Sequence, residues 1–329
     1  MSTAVATALA ALMSLPSVPL APHVTPIDRL ARLEAALGPT CPRLLIKRDD
    51  LLSFGAGGNK VRKMQAVAAE ATAAGADTLI TCGGVQSNHA RVTAATGAAL
   101  GLAVELVVNG ERQPVATANA RLDALFGATM HYVTKREDRA PMMEALADRA
   151  RRAGKRPFVV PLGASTPTGA LGFARGVAEL ASAGGRPDAI VFATSSGGTQ
   201  AGLIAGCALL GLEPRIVGIS ADDPAPTLAT TVAGLLAGIA TRLGARPETI
   251  GASRAIDVDD RFVGGGYGVP TPASTEALEL VARREGILLD PTYTAKAMAG
   301  LIARVRGGEF TPNQTVLFWH TGGQVGYFI

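Results

Sequence analysis

Aromatic residues are scarce: they make up 4% of the 329-residue chain, with one Trp and four Tyr. A groove that reads nucleic acid by base stacking needs aromatics interleaved with its cations. The net charge of +4 therefore does not by itself point to such a partner. The densest basic run, residues 149–156, closes a helical pattern that starts near Pro141, where cations complement the helix C-terminus. Cysteine is equally rare. Cys41, Cys82 and Cys207 are far apart and form no CxxC pair, which predicts reduced core thiols and a cytoplasmic setting. The four histidines (His23, His89, His131, His320) show neither HExxH nor i, i+4 spacing, so no metal is expected. No stretch reaches eighteen uninterrupted apolar residues. The run at 4–15 is too short to span a bilayer and lacks a positive flank and a cleavage signal, so no membrane partner is expected.

What remains is apolar and rich in small residues: 48% hydrophobic, 18% charged, 39 Gly. That composition suits helices packed closely on sheet, and the length favours two domains. Short apolar runs alternate with helical patterns along the chain. Strands are expected at 44–48, 78–82, 104–108, 130–133, 157–161, 189–194, 215–220, 257–263 and 316–320. Helices are expected at 26–37, 61–74, 88–100, 116–125, 141–153, 169–183, 199–210, 225–243, 275–285 and 293–306. Apolar strands separated by helices of ten to fifteen residues read as βαβ units. The prediction is an α/β fold with two open, mostly parallel twisted sheets flanked by helices. A crossing between domains is expected near residues 163–167.

Four polar stretches interrupt this alternation. Ser53-Phe54-Gly55-Ala56-Gly57-Gly58-Asn59-Lys60 is a loop able to approach a ligand closely. It closes on a lysine that is either a solvated point charge or a nucleophilic amine. Ser195-Ser196-Gly197-Gly198-Thr199 follows a strand and opens a helix, a position that suits a phosphate or an ordinary capped turn. No Walker A or GxGxxG fingerprint is present, so a nucleotide is not the obvious owner of that phosphate. Gln86-Ser87-Asn88-His89 also opens a helix and offers donors to a carboxylate, or simply caps it. His320-Thr321-Gly322-Gly323 follows the last strand. Tyr267, within Gly-Gly-Gly-Tyr-Gly, and Tyr293, within Asp-Pro-Thr-Tyr-Thr, lie outside any core stripe. Each can present its phenol as a donor or pack with a satisfied hydroxyl.

Taken together these motifs carry a resemblance. Gly-Gly-Asn-Lys (57–60), Gln-Ser-Asn-His (86–89), Ser-Gly-Gly-Thr (196–199), Gly-Tyr-Gly-Val-Pro (266–270), Leu-Asp-Pro-Thr-Tyr-Thr (289–294) and His-Thr-Gly-Gly (320–323) occur in order. With residues 19–27 and 46–50 they resemble the D-cysteine desulfhydrase / 1-aminocyclopropane-1-carboxylate (ACC) deaminase family over nearly the whole chain. Those enzymes use pyridoxal 5′-phosphate (PLP) in the tryptophan-synthase-β fold, also called fold type II.

The resemblance implies a large PLP-binding domain at 1–62 and 168–329, a small domain at 63–167, and PLP in the cleft between them. It implies Lys60 as the Schiff-base lysine, Asn88 at the ring hydroxyl, and Ser196, Gly197, Gly198 and Thr199 around the phosphate. Thr321 would lie near the pyridine nitrogen. Ser87, with Asn88 and His89, would face the carboxylate of a small amino-acid substrate that Tyr267 and Tyr293 also line. ACC deaminases carry glutamate where this chain has Thr294 and glutamine where it has His89. These departures favour β-elimination: D-cysteine desulfhydration first, L-cysteate sulfo-lysis second, ACC deamination third, with an amino-acid-binding protein lacking turnover as the reading outside enzymes. Family members are usually homodimers, so a homodimer is expected.

Overall fold

The structure is a computed structural model that describes residues 3–21 and 24–328. Pro22 and His23, which belong to the resemblance at 19–27, lie outside the described residues. In chain order the elements are α1 (Thr3–Ser14), β1 (Ile27–Arg29), α2 (Ala31–Leu37), β2 (Arg43–Arg48), α3 (Asn59–Ala73), β3 (Thr78–Gly84) and α4 (Asn88–Leu100). Then come β4 (Ala103–Asn109), α5 (Ala118–Leu125), β5 (Thr129–Val133), α6 (Arg139–Arg152), β6 (Pro157–Val159) and α7 (Pro167–Ser182). The chain closes with β7 (Ala189–Thr194), α8 (Gly198–Leu209), β8 (Arg215–Ser220), α9 (Ala225–Leu243), β9 (Asp257–Asp259), α10 (Pro272–Glu285), α11 (Thr294–Arg306) and β10 (Thr315–His320).

The strands form two sheets. The larger has order β1-β2-β10-β7-β8-β9 and the smaller β5-β4-β3-β6. Every pairing is parallel except β1 with β2. The larger sheet is buried on both faces. Along β10, Leu317 and Trp319 enter one core with α1, α7, α8 and α9, while Val316 and Phe318 enter another with α2, α10 and α11. Continuous apolar strands are what such two-sided burial requires. In the smaller sheet Leu79 and Ile80 likewise divide between two cores.

Two expectations shift. The helix expected at 26–37 begins only at Ala31, because Ile27–Arg29 pairs antiparallel with Leu45–Lys47 as an edge strand. Its periodic apolar spacing is real, since Leu30 and Leu33 are buried, but sheet pairing takes the first turn. The strand expected at 257–263 stops at Asp259, where Arg261 folds back onto the carboxylate through backbone and side chain. The apolar run near the N-terminus is helix α1, packed on α7 and α8 through Ala8 and Leu12.

One buried polar cluster fixes the approach to the glycine loop. Asp49, fully buried, accepts from Arg62 Nε and Nη2 (both 2.7 Å), Trp319 Nε1 (2.7 Å) and Thr25 Oγ1 (3.0 Å). Glu179 on α7 accepts from Arg62 Nη1 at 2.8 Å and pairs with Lys47. Buried charges of both signs are thereby matched and hydrogen-bonded, the condition under which they are tolerated.

Candidate active site

A cavity of about 430 Å³ opens at the carboxyl ends of the parallel strands. Gly83 and Gly84 end β3 there, Ala193 and Thr194 end β7, Asp222 and Asp223 follow β8, and Thr321 and Gly322 follow β10. Open α/β sheets collect ligands at this edge.

Lys60 enters from the first turn of α3. The Asn59 N–H donates to the carbonyl of Thr321 at 3.0 Å and the Asn59 side chain donates to Thr199 Oγ1 at 3.1 Å. These two bonds tie the lysine loop to the end of β10 and the first turn of α8. Burial pushes the Lys60 amine down to about 8. Lys63, three residues on and on the same helix face, lies beside it and is fully buried. Burial and the Lys60 charge hold its amine well below the ordinary lysine range. The Lys63 amine donates to Ser165 Oγ (3.0 Å) and the Gly163 carbonyl (3.2 Å). Ser165 Oγ in turn meets Ser196 Oγ at 2.7 Å.

On the other wall, α4 points its N-terminus into the cavity. The Ser87 hydroxyl caps that end by accepting from the Ala90 N–H at 3.2 Å, and its own proton is free to face a ligand. Asn88 is held by Asn119, whose amide donates to Asn88 Oδ1 at 3.0 Å. His89 is buried, with Nε2 2.8 Å from Thr81 Oγ1. Burial and the two lysines keep its ring neutral. Arg91, also buried, donates to Asn119 Oδ1 at 2.7 Å and to the carbonyls of Gly55 and Gly57. The lysine loop and the α4 end thus share one support.

Tyr267 and Tyr293 meet hydroxyl to hydroxyl at 2.5 Å, their rings edge to face at 5.7 Å. Burial raises both phenols, Tyr293 well above its ordinary value with Tyr267 adding to the effect. Both stay protonated, as proton donors must. Lys296 on α11 donates to the carbonyls of Val263 and Gly266, each at 2.8 Å, and so fixes the loop that carries Tyr267.

Ten of the eleven residues singled out in the sequence line this one cavity: Lys60, Ser87, Asn88, His89, Ser196, Gly197, Thr199, Tyr267, Tyr293 and Thr321. Gly198 stands just behind the wall as the first residue of α8. Thr294 is turned away, its hydroxyl on Asp290 Oδ1 at 2.7 Å. The Asp290 carboxylate is itself occupied by the N–H groups of residues 292–294. The sequence reading passed over Lys63, Asn59 and Ser165, and also the charged rim of Arg136, Arg139, Asp222 and Asp223. Lys63 carried a usable signal, its i, i+3 spacing from Lys60.

The family model described as "Pyridoxal-phosphate dependent enzyme" matches residues 18–322. The chain belongs to the pyridoxal-phosphate-dependent enzyme family. A solved structure described as an ACC deaminase homologue is 35% identical, with the match covering 100% of this chain and 97% of that one at a TM-score of 0.90. Threonine deaminase isoform 2 from Solanum lycopersicum (17% identity, 98% and 85% covered, TM-score 0.69) and a fungal L-serine ammonia-lyase from Rhizomucor miehei (17%, 92% and 94%, 0.65) share the fold. The cofactor of this fold type II family is PLP, and the cavity fits it. Two amines, Lys63 buried and Lys60 half-buried at the cavity wall, face the 196–199 loop among hydroxyls and backbone, and neither has a carboxylate partner among the described residues. The approach is close: a Cβ at Gly163 would lie 3.3 Å from Lys60 Nζ and 2.3 Å from Ser196 Oγ, and one at Gly198 would lie 2.8 Å from Lys63 Nζ. Side chains there would fill the cradle.

Proposed function

We propose that this PLP-dependent enzyme is a β-elimination lyase for a small β-substituted amino acid, and that D-cysteine is its substrate. The balanced reaction is D-cysteine plus water to pyruvate, ammonia and hydrogen sulfide. The supporting observation is the treatment of position 294. Its side chain is a hydroxyl directed away from the cavity, and the Asp290 carboxylate beside it is spent capping α11. No carboxylate from this strip can hold a proton on a pyridine nitrogen placed near Thr321, as the opening of an unactivated ring would demand.

PLP supplies the electron sink that stabilises negative charge at the substrate α-carbon. In this reading Lys60 Nζ would hold the cofactor, and the same amine would take the substrate's α-proton. Burial suits it for both, because an amine near 8 is a fair nucleophile and base at neutral pH. Lys63, Ser196, Thr199 and the backbone of Gly197 and Gly198 would hold its phosphate. Asn88 and Thr321 would orient the ring. The Ser87 hydroxyl and the N–H groups at the start of α4, beside neutral His89, bind the substrate carboxylate, where the helix N-terminus favours negative charge. The Tyr267–Tyr293 pair holds a phenolic proton toward the departing sulfur.

The test offers purified protein D-cysteine, L-cysteine, L-cysteate and ACC separately, with pyruvate, 2-oxobutanoate, sulfide and sulfite measured together. Pyruvate with sulfide from D-cysteine, lost in Lys60→Ala, is expected. 2-Oxobutanoate from ACC, sulfite from L-cysteate, or no keto acid from any of them would overturn the assignment.

A further inference from the structure

The rim of the cavity carries four charges that the β-elimination chemistry does not use. Arg136, after β5, and Asp222, after β8, form an ion pair across the mouth, and the Arg136 guanidinium lies 5.7 Å from the centre of the Tyr267 ring. This pair neutralises itself. Arg139 and Asp223 line the same cavity, both half-buried. Arg139 spends its Nε on the Arg136 carbonyl at 3.0 Å. Its two terminal nitrogens and the Asp223 carboxylate have no hydrogen-bond or ion-pair partner among the described residues. Burial and the neighbouring Asp222 hold the Asp223 carboxyl above its ordinary range against the opposing pull of Arg136 and Arg139, and a ligand ammonium would add to that pull.

A half-buried charge without a partner costs free energy that a ligand of opposite sign recovers. A bare anion such as a sulfonate would meet Arg139 but also two carboxylates. A neutral thiol would meet neither charge. A guanidinium with both terminal nitrogens unbonded and a carboxylate with no hydrogen-bond partner among the described residues, on a net-neutral rim, complement a group bearing both an ammonium and a carboxylate.

We infer that Arg139 and Asp223 form a second subsite, which binds an α-amino-acid head group at the far end of the substrate's β-substituent. The inference rests on the β-elimination reading and adds to D-cysteine a preferred class of substrates in which sulfur joins two amino-acid halves. For a thioether of this kind the Cβ–S bond breaks with its electron pair going to sulfur, which takes a proton. The overall balance is lanthionine plus water to pyruvate, ammonia and cysteine. Arg139 would pair with the distal carboxylate and Asp223 with the distal ammonium, so the departing cysteine is held until it is protonated.

Two measurements on the holoenzyme test this. The first compares kcat/KM for lanthionine stereoisomers, D-cysteine and L-cysteate. A preference of tenfold or more for one lanthionine isomer over D-cysteine is expected, and the ratio should collapse at least tenfold in Arg139→Met and in Asp223→Asn. D-cysteine or L-cysteate preferred, or a ratio unmoved by both variants, would overturn the subsite. The second uses calorimetry with non-eliminating carbon analogues: diaminopimelate, which keeps both head groups, against 2-aminobutyrate, which keeps one. Tighter binding of diaminopimelate by tenfold or more, lost in the variants, upholds the subsite even if no keto acid forms from any substrate, in which case only the lyase reading fails. Equal binding of the two analogues by the unaltered protein sinks the subsite, however the variants fold and whatever the lyase activity.

Discussion

Replacing Lys60 by Met in the cofactor-free protein should make the fold more stable while removing activity. Burial lowers the Lys60 amine from 10.5 to about 8. At about 1.4 kcal/mol per tenfold change in the proton equilibrium, the fold loses about 3 kcal/mol holding that proton. Below pH 8 both folded and unfolded chains are protonated and the whole cost is present. Between pH 8 and 10.5 the unfolded chain holds a proton that the folded chain has lost, so stability rises with pH. Above 10.5 the cost is gone. Methionine is similar in length, fills the volume and carries no charge. The Lys60 charge also depresses Lys63, so its removal helps in the same direction. Urea unfolding at pH 7, 8, 9 and 10 should show Lys60→Met ahead of the unaltered cofactor-free protein by up to about 3 kcal/mol at pH 7. The gap should narrow steadily toward pH 10. A variant no more stable at pH 7, or a gap that does not change with pH, would refute the claim that Lys60 is held in an uncompensated buried site.

Three further outcomes follow from the same geometry. Lys63→Met should weaken PLP binding by about 10- to 100-fold, the value of one hydrogen bond to a charged group, measured by absorbance titration of cofactor-free protein. An unchanged affinity would remove Lys63 from the phosphate site. Tyr293→Phe should lower kcat by about 10²-fold or more with KM little changed, if its proton reaches the leaving group; equal losses in Tyr293→Phe and in a cavity variant distant from the Tyr pair would point to packing instead. Asp49→Asn, which leaves Arg62 and Lys47 sharing Glu179 alone, should cost about 3–5 kcal/mol in unfolding free energy, measured by urea unfolding. A cost under about 1 kcal/mol would mean that the cluster relaxes freely.

The parallel sheets were legible because every strand of the larger sheet's centre is an apolar run bounded by helical periodicity, as Ala189–Thr194 and Thr315–His320 illustrate. The edge strand Ile27–Arg29 was not, because its residues also satisfy a helical spacing and only pairing with β2 decides between the two. The cavity walls were legible where ligand approach requires unusual residues directly after a strand: Ser196-Gly197-Gly198, Ser87-Asn88 and Thr321-Gly322. Residues that tune the cavity were hidden for the opposite reason. Lys63, Arg136 and Arg139 look in sequence like the solvated charges that helices and loops carry everywhere. Only the fold shows that one of them is fully buried and that the others face across a cleft from Asp222 and Asp223.

The two buried charge clusters flanking the glycine loop are built on opposite rules. Around Asp49, Arg62 Nε and Nη2, Trp319 Nε1 and Thr25 Oγ1 converge on one carboxylate, and Glu179 answers the remaining cations. Around Lys60 and Lys63, two amines share a site at the cavity wall with hydroxyls and carbonyls and, among the described residues, no carboxylate. Both arrangements hang on the same first turns of α3, since Arg62 lies between the two lysines in sequence. The compensated cluster anchors the helix firmly enough that the uncompensated one can persist a few ångströms away. Its missing counter-charge is the kind a phosphate brings, so cofactor binding and relief of buried like charge become one event. On that argument a fixed free concentration of PLP should raise the urea-unfolding stability of the unaltered protein by more than that of Lys63→Met, whose weaker binding gives the smaller RT ln(1 + [L]/Kd); equal gains would remove Lys63 from the phosphate site.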